Sequence, residues 1–139
     1  MSVLVDTCIW SLAVRRHSVD KESDVVRELR ALIAEGGAVV IGPIRQELLS
    51  GIRHPAQFKE LRSRMRAFPD LKLESADYER AAEQYTECRR NGIQGSNTDF
   101  LICAVAERIQ AAIFTIDDDF VHLSKLLPIR RHRSRFGEG

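Results

Sequence analysis

The sequence predicts an α/β domain with a mostly parallel central sheet and helices on both faces. Three observations carry that expectation. Short apolar runs at 2–6, 38–42 and 111–116 alternate with longer stretches of helical periodicity. The runs are separated by far more than a hairpin turn, so neighbouring strands need helical crossovers and run parallel. At 139 residues with 44% hydrophobic content, the chain is large enough for one core without disulfides or a structural metal, and it reads as one domain over 1–139.

Each element has its own warrant. "SVLVD" at 2–6 is a buried-strand pattern, and a short helix follows from Thr7 with Ile9, Trp10, Leu12 and Ala13. Over 22–35, Val25, Val26, Leu29, Leu32 and Ile33 recur at helical spacing until Gly36-Gly37 stops them. "AVVIG" at 38–42 is the second strand, and Pro43 suits the first turn of the helix "IRQELLSG". A basic helix then presents Phe58, Leu61, Met65 and Phe68 on one face and ends before Pro69. "LKLE" at 71–74 reads as a short strand. The helix over 76–90 is expected to turn Ala81, Ala82, Tyr85 and Cys88 inward. After the loop "NGIQGSN", a helix starts near Thr98 and buries Leu101, Ile102, Val105 and Ile109. "AAIFTI" is the third strand. A short helix near 120–126, an edge strand at "PIRR" and a flexible tail at 134–139 complete the pattern.

Composition narrows the function classes. Twenty-one Lys and Arg against 20 Asp and Glu give a net charge of +1, so no global sign favours a nucleic acid or a membrane surface. The start of the chain lacks a signal-peptide pattern, and no apolar run approaches the roughly 18 residues of a membrane span, which predicts a cytoplasmic protein. Cys8, Cys88 and Cys103 are widely spaced in apolar stretches and read as buried free thiols. His17, His54, His122 and His132 show no paired placement for acid and base roles, and no Walker-type phosphate loop is present.

The acids are more informative. Ligands of open α/β sheets bind beyond the carboxyl ends of the strands. Asp6 ends the first strand, Asp117 lies just past the third, Glu47 is on the helix after the second, and Asp99 is in the first turn of the helix after the glycine loop. Singly, each has an ordinary role: Asp6 as a turn or cap, Glu47 as a solvated face residue, Asp99 as a partner of the helix dipole, and "DDD" at 117–119 as a turn. Jointly, four carboxylates crowded together raise one another's pKa values unless divalent cations compensate. An oxygen-only set suits Mg²⁺ or Mn²⁺.

The set "LVDTCIW", "RQELLSGIR" and "NTDFLICAVAERIQAAIFTIDDDF" resembles a PIN-domain ribonuclease, most closely the VapC-like toxins of type II toxin–antitoxin systems. The resemblance covers nearly the whole chain and implies a PIN-like single domain. It implies that Asp6, Glu47, Asp99 and Asp117 are the catalytic, metal-binding acids, with Mg²⁺ or Mn²⁺ as cofactor. Thr115, Asp119, Ser96 and Asn97 match places where such domains carry supporting polar residues. The implied activity is endoribonuclease cleavage by a metal-activated water, leaving a 5′-phosphate and a 3′-hydroxyl. The implied partners are RNA, a cognate antitoxin and a second copy of the chain, either as a homodimer or within a hetero-oligomer with the antitoxin, and no membrane.

Setting the four acids aside leaves the rest of the chain net basic. Clusters stand at 15–17, 53–66 and 125–135, and Arg53, Arg62, Arg64 and Arg66 are the first candidates for phosphate contact. Trp10, Leu12 and Ile52 add apolar surface suited to an antitoxin segment. Two other classes are a receiver-like phospho-acceptor domain, which "LVDTC" and the lysine-free "TIDDDF" fit poorly, and a non-catalytic PIN-fold binding module.

Overall fold

The computed structural model describes residues 1–14 and 23–137. The basic cluster at 15–17, with His17, lies outside the described residues. Among those described, three strands and seven helices follow in the order β1 (Val3–Val5), α1 (Thr7–Val14), α2 (Asp24–Ala34), β2 (Ala38–Val39), α3 (Gly42–Ser50), α4 (Pro55–Met65), α5 (Ser75–Arg90), α6 (Asn97–Ile109), β3 (Ala112–Phe114) and α7 (Asp119–Leu123).

The sheet has the order β2-β1-β3 and both pairings are parallel. Val3, Leu4 and Val5 of β1 pair with β3 at Ala112, Ile113 and Phe114, and Val3 and Leu4 pair with β2 at Ala38 and Val39. Successive strand residues point to opposite faces. All three residues of β1 are nevertheless fully buried, so the central strand is covered on both faces, as a parallel sheet requires. Its carboxyl end therefore delivers Asp6 directly from the core to the edge where β3 also ends.

Helix α6 is buried at every position from Phe100 to Ala106, the pattern of a helix enclosed on all sides. It packs along α5, whose inward positions are Asp77, Ala81, Gln84 and Cys88. The sequence pattern placed Ala82 and Tyr85 inward instead, and both face out. The reason is polar pairing: Gln84 bonds Glu107, Arg80 forks onto Glu107, and Arg108 clamps the buried Asp77 through bonds of 2.7 and 3.0 Å. Burial acts to raise the Asp77 pKa, but the Arg108 bond and the Glu74 N–H outweigh it and hold the carboxyl below its usual value.

Three further expectations change. Residues 71–74 form no strand: the only pairing there is the bridge of Asp70 with Val40. The chain leaves the sheet because Glu74 is already the cap of α5, in a reciprocal capping box with Asp77. The segment "PIRR" contributes a single parallel bridge, Ile113 with Arg131, rather than an edge strand. Phe68 lies beyond the end of α4, in a turn that Arg45 of α3 pins by donating to Asp70 Oδ1 and to the carbonyls of Met65 and Phe68. That turn seats the Phe68 ring 5.1 Å from Trp10. Replacing Arg45 by Ala is expected to cost about 1–2 kcal/mol and to red-shift the emission of Trp10, the single tryptophan, measured by urea titration followed by fluorescence.

The segment after α7 crosses α2. Glu28, fully buried, accepts from Arg135, whose guanidinium also reaches Glu35, and its Oε2 lies 2.6 Å from His132 Nε2. Arg27 covers the Phe136 ring at 4.4 Å. Residues 134–137, expected as a tail, are thus tied to α2 through Arg135 and Phe136. No described helix is long and apolar enough to cross a membrane.

Candidate active site

Three chain segments bring acids to one edge of the sheet. Asp6 follows β1 and is 6% exposed. Its Oδ1 accepts the Thr7 N–H at 2.8 Å, and its Oδ2 accepts the Thr115 hydroxyl at 2.8 Å and the Cys8 thiol at 3.4 Å. Thr115, just past β3, also accepts the Asp117 N–H at 3.0 Å, so one hydroxyl ties the end of β1 to the backbone that presents Asp117. Asp117 is exposed and its Oδ1 accepts the Asp119 N–H at 2.9 Å. In the run "DDD", the first carboxylate is therefore held by the backbone of the third, and Asp119 contributes through its N–H as it opens α7.

Asp99 is the third residue of α6. Ser96 caps the helix: its hydroxyl accepts the Asp99 N–H, and Asp99 Oδ2 accepts the Ser96 N–H, both at 3.0 Å. The reciprocal box fixes the carboxylate at the helix N-terminus, where the dipole also favours a negative charge. Asn97 is exposed at the first position of the helix.

Glu47 joins by a different route. It is exposed on α3, and its Oε1 accepts the Thr7 hydroxyl at 2.7 Å. Thr7 thus serves Asp6 with its N–H and Glu47 with its hydroxyl. Cys8 donates its thiol to Asp6 and accepts the Ile116 N–H at 3.5 Å. Sequence reasoning passed over Thr7 and took Cys8 for a buried thiol. Cys8 is half-buried at the site, unlike the buried Cys88 and Cys103. The available signal was their position immediately after Asp6, where a helix starts and polar groups face the strand end.

Electrostatics link the three aspartates. Burial pushes the Asp6 pKa up against the bonds from Thr115, Thr7 and Cys8, and the Asp117 charge pushes the same way. Burial likewise raises Asp99 against its two Ser96 bonds, with further repulsion from Asp6 and Asp117. The three carboxylates feel one another, which is the unfavourable crowding a cation relieves. Among the described residues, no three His, Cys, Asp or Glu side chains are already gathered closely enough to enclose an ion. The donor types nonetheless suit a hard cation, since every proposed ligand is a carboxylate oxygen.

Beside the acids a groove of about 440 Å³ runs between α1 and α3, lined by Leu12, Leu48, Ile52 and Ile116 together with Cys8 and Glu47. Ile116 is 52% exposed. Leu12 and Ile52 thus line one groove. Trp10 does not: it is 3% exposed and packed on Phe68, a core residue rather than a contact surface. Among the arginines, Arg53, Arg64 and Arg66 are exposed, whereas Arg62 is half-buried with its guanidinium 5.7 Å from the Phe58 ring.

Comparison with known proteins follows the same lines. The structure resembles that of FitAcB from Neisseria gonorrhoeae with a TM-score of 0.75 at 18% identity, covering 95% of this chain and 97% of that one. It resembles VapBC2 from Rickettsia felis, bound to a DNA fragment from its promoter, with a TM-score of 0.73 at 18% identity over 95% and 98% of the two chains. A toxin–antitoxin complex from Klebsiella pneumoniae gives 0.66 at 18% identity, covering 86% and 90%. No protein of curated function matches the sequence. The family model described as "PIN domain" matches residues 3–126. That span runs from the first residue of β1 to beyond α7 and includes all four acids, and the chain belongs to the PIN domain family.

Proposed function

We propose that this protein is a metal-dependent endoribonuclease acting as the toxin of a toxin–antitoxin pair. The observation that supports the reading is the placement of Asp6, Asp99 and Asp117 at the carboxyl edge of the sheet, where the Asp117 charge acts to raise the pKa of both Asp6 and Asp99. PIN domains are generally nucleases, and a site built of carboxylates without a nucleophilic triad is the apparatus of metal-assisted hydrolysis.

Asp6, Glu47, Asp99 and Asp117 would hold Mg²⁺ or Mn²⁺, which when bound supplies compensating positive charge and a more acidic water beside the scissile phosphate. The chain's own part is to orient. Thr115 and Thr7 fix the directions of Asp6 and Glu47, Ser96 fixes Asp99, and the Asp119 N–H fixes Asp117. Buried Asp6 anchors the set to the core, while exposed Asp117 and Glu47 face the side from which RNA approaches. Exposed Arg53, Arg64 and Arg66 and half-buried Arg62 are proposed phosphate contacts.

The apolar groove of Leu12, Ile52 and Ile116 is the proposed seat of an antitoxin segment, a reading supported by the toxin–antitoxin complexes among the similar structures. Pairing with a second copy is proposed on the same family grounds.

The test is cleavage of total cellular RNA by partner-free protein with Mg²⁺ or Mn²⁺ against EDTA. Discrete metal-dependent products with 5′-phosphate ends are expected. Cyclic phosphate ends would remove attack by water. Absence of cleavage by metal-loaded protein would turn the reading to a non-catalytic binding module.

A further inference from the structure

A second cleft lies on the far side of the glycine loop. It encloses about 250 Å³ between Tyr85 and Arg89 of α5, Ile93, Gln94 and Gly95 of the loop, and Phe100 of α6. That volume is below the roughly 300–1,000 Å³ of pockets for drug-sized ligands and suits a single planar ring system.

Its chemistry is specific. Tyr85 is among the few large apolar side chains left exposed, at 36%. Its ring is oriented: the buried Phe100 ring meets it edge-on at 5.5 Å, and Arg89 Nη1 donates to its hydroxyl at 2.9 Å. Arg89 and Arg90 close the last turn of α5 with two adjacent positive charges, both exposed. A held but exposed aromatic ring beside a guanidinium is a platform for a nucleobase with a phosphate next to it.

Its position ties it to the acids. A Cβ added at Gly95 would stand 3.1 Å from the Phe100 ring and 3.7 Å from Asp99 Cβ. The residue that walls the cleft therefore also abuts Asp99, and the next residue, Ser96, caps it. Gly95 and Ser96 thus join the wall of the cleft to the N-terminus of α6, where Asp99 stands.

We infer that the Tyr85–Arg89 cleft is a stacking subsite for an unpaired base of the RNA substrate, with Arg89 paired to the adjoining phosphate. The inference rests on the nuclease reading and names the form of RNA taken: single-stranded next to the cut. A two-fold contact with a second copy through this surface fits less well, because it would bring the arginines of one copy towards those of the other.

The experiment uses full-length chain carrying Asp117→Asn, titrated with single-stranded RNA containing 2-aminopurine at successive positions. One position is expected to be quenched on binding. In a Tyr85→Ala background the quenching is lost and affinity falls about five- to a hundredfold, the range of one base–aromatic stack. Tyr85→Phe, which keeps the ring, restores both. Arg89→Gln is expected to lower the slope of log affinity against log salt by about one. Unchanged affinity and quenching in Tyr85→Ala overturn the subsite. So does a change of oligomeric state on sedimentation without a change in RNA affinity, which would make this face an interface. Stacking that persists while protein with intact Asp117 cleaves nothing supports the subsite and removes the nuclease reading instead.

Discussion

Replacing Asp117 by Asn is expected to reduce RNA cleavage by at least about a hundredfold, on the scale of removing a group that stabilises transition-state charge, while leaving the fold intact. Asp117 is suited to this test because it is exposed and its structural duty is small. An asparagine carbonyl still accepts the Asp119 N–H that Asp117 Oδ1 accepts now. The stability effect has a definite sign. The Asp117 charge raises the pKa of both Asp6 and Asp99, so it repels their ionised forms, and removing it relieves that repulsion. Metal-free variant should therefore melt at the same temperature as the parent or slightly higher. The parent should gain more on adding Mg²⁺, because a ligand stabilises by RT ln(1 + [L]/Kd) and the variant binds more weakly. Parallel cleavage assays and thermal melts with and without Mg²⁺ check both parts. Wild-type cleavage by Asp117→Asn would remove Asp117 from the site.

The second large effect is structural. Glu28→Gln is expected to lower stability by about 2–3 kcal/mol, below the 3–5 kcal/mol typical of breaking a fully buried pair, because Arg135 is 44% exposed and can rehydrate. Burial alone would raise the Glu28 pKa, yet the contact with His132 and the bonds from Arg135 outweigh it and the net shift is downward. A carboxylate whose folded pKa is depressed contributes stability that is present above its unfolded value and is lost as pH falls through the folded one. The difference between parent and variant should thus be full near neutrality and shrink below the usual Glu value of 4.5. Urea titrations at several pH values measure it. A constant difference down through the acid range would mean that packing, not charge, holds the C-terminal segment to α2.

Much of the fold was legible because local pattern is sufficient for it. The three apolar runs became β1, β2 and β3, and Gly36 and Pro43 marked boundaries through their own backbone chemistry. What failed was partnership. In α5, a periodicity count favours Ala82 and Tyr85 as inward over Gln84 and Asp77, because it cannot see Glu107 and Arg108 waiting on α6 to satisfy those polar groups. Residues 71–74 alternate like a strand, but the cap they supply to α5 takes precedence.

The same division runs through the site. The sequence alone determined that Asp6 and Asp117 stand at strand ends, Asp99 at a helix start and Glu47 on the helix after the second strand, since those positions follow from short-range periodicity and from the parallel topology it implies. Only the tertiary structure decided that Thr115 reaches Asp6 across 109 positions and Thr7 reaches Glu47 across 40. It likewise decided that Trp10 faces the core while Leu12 and Ile52 share a groove, and that Tyr85 is left exposed beside Arg89. The physical reason is range: backbone propensity acts over a few residues, whereas a hydrogen bond, a buried ring or a shared electrostatic field depends on which distant segments the packed core brings within a few ångströms.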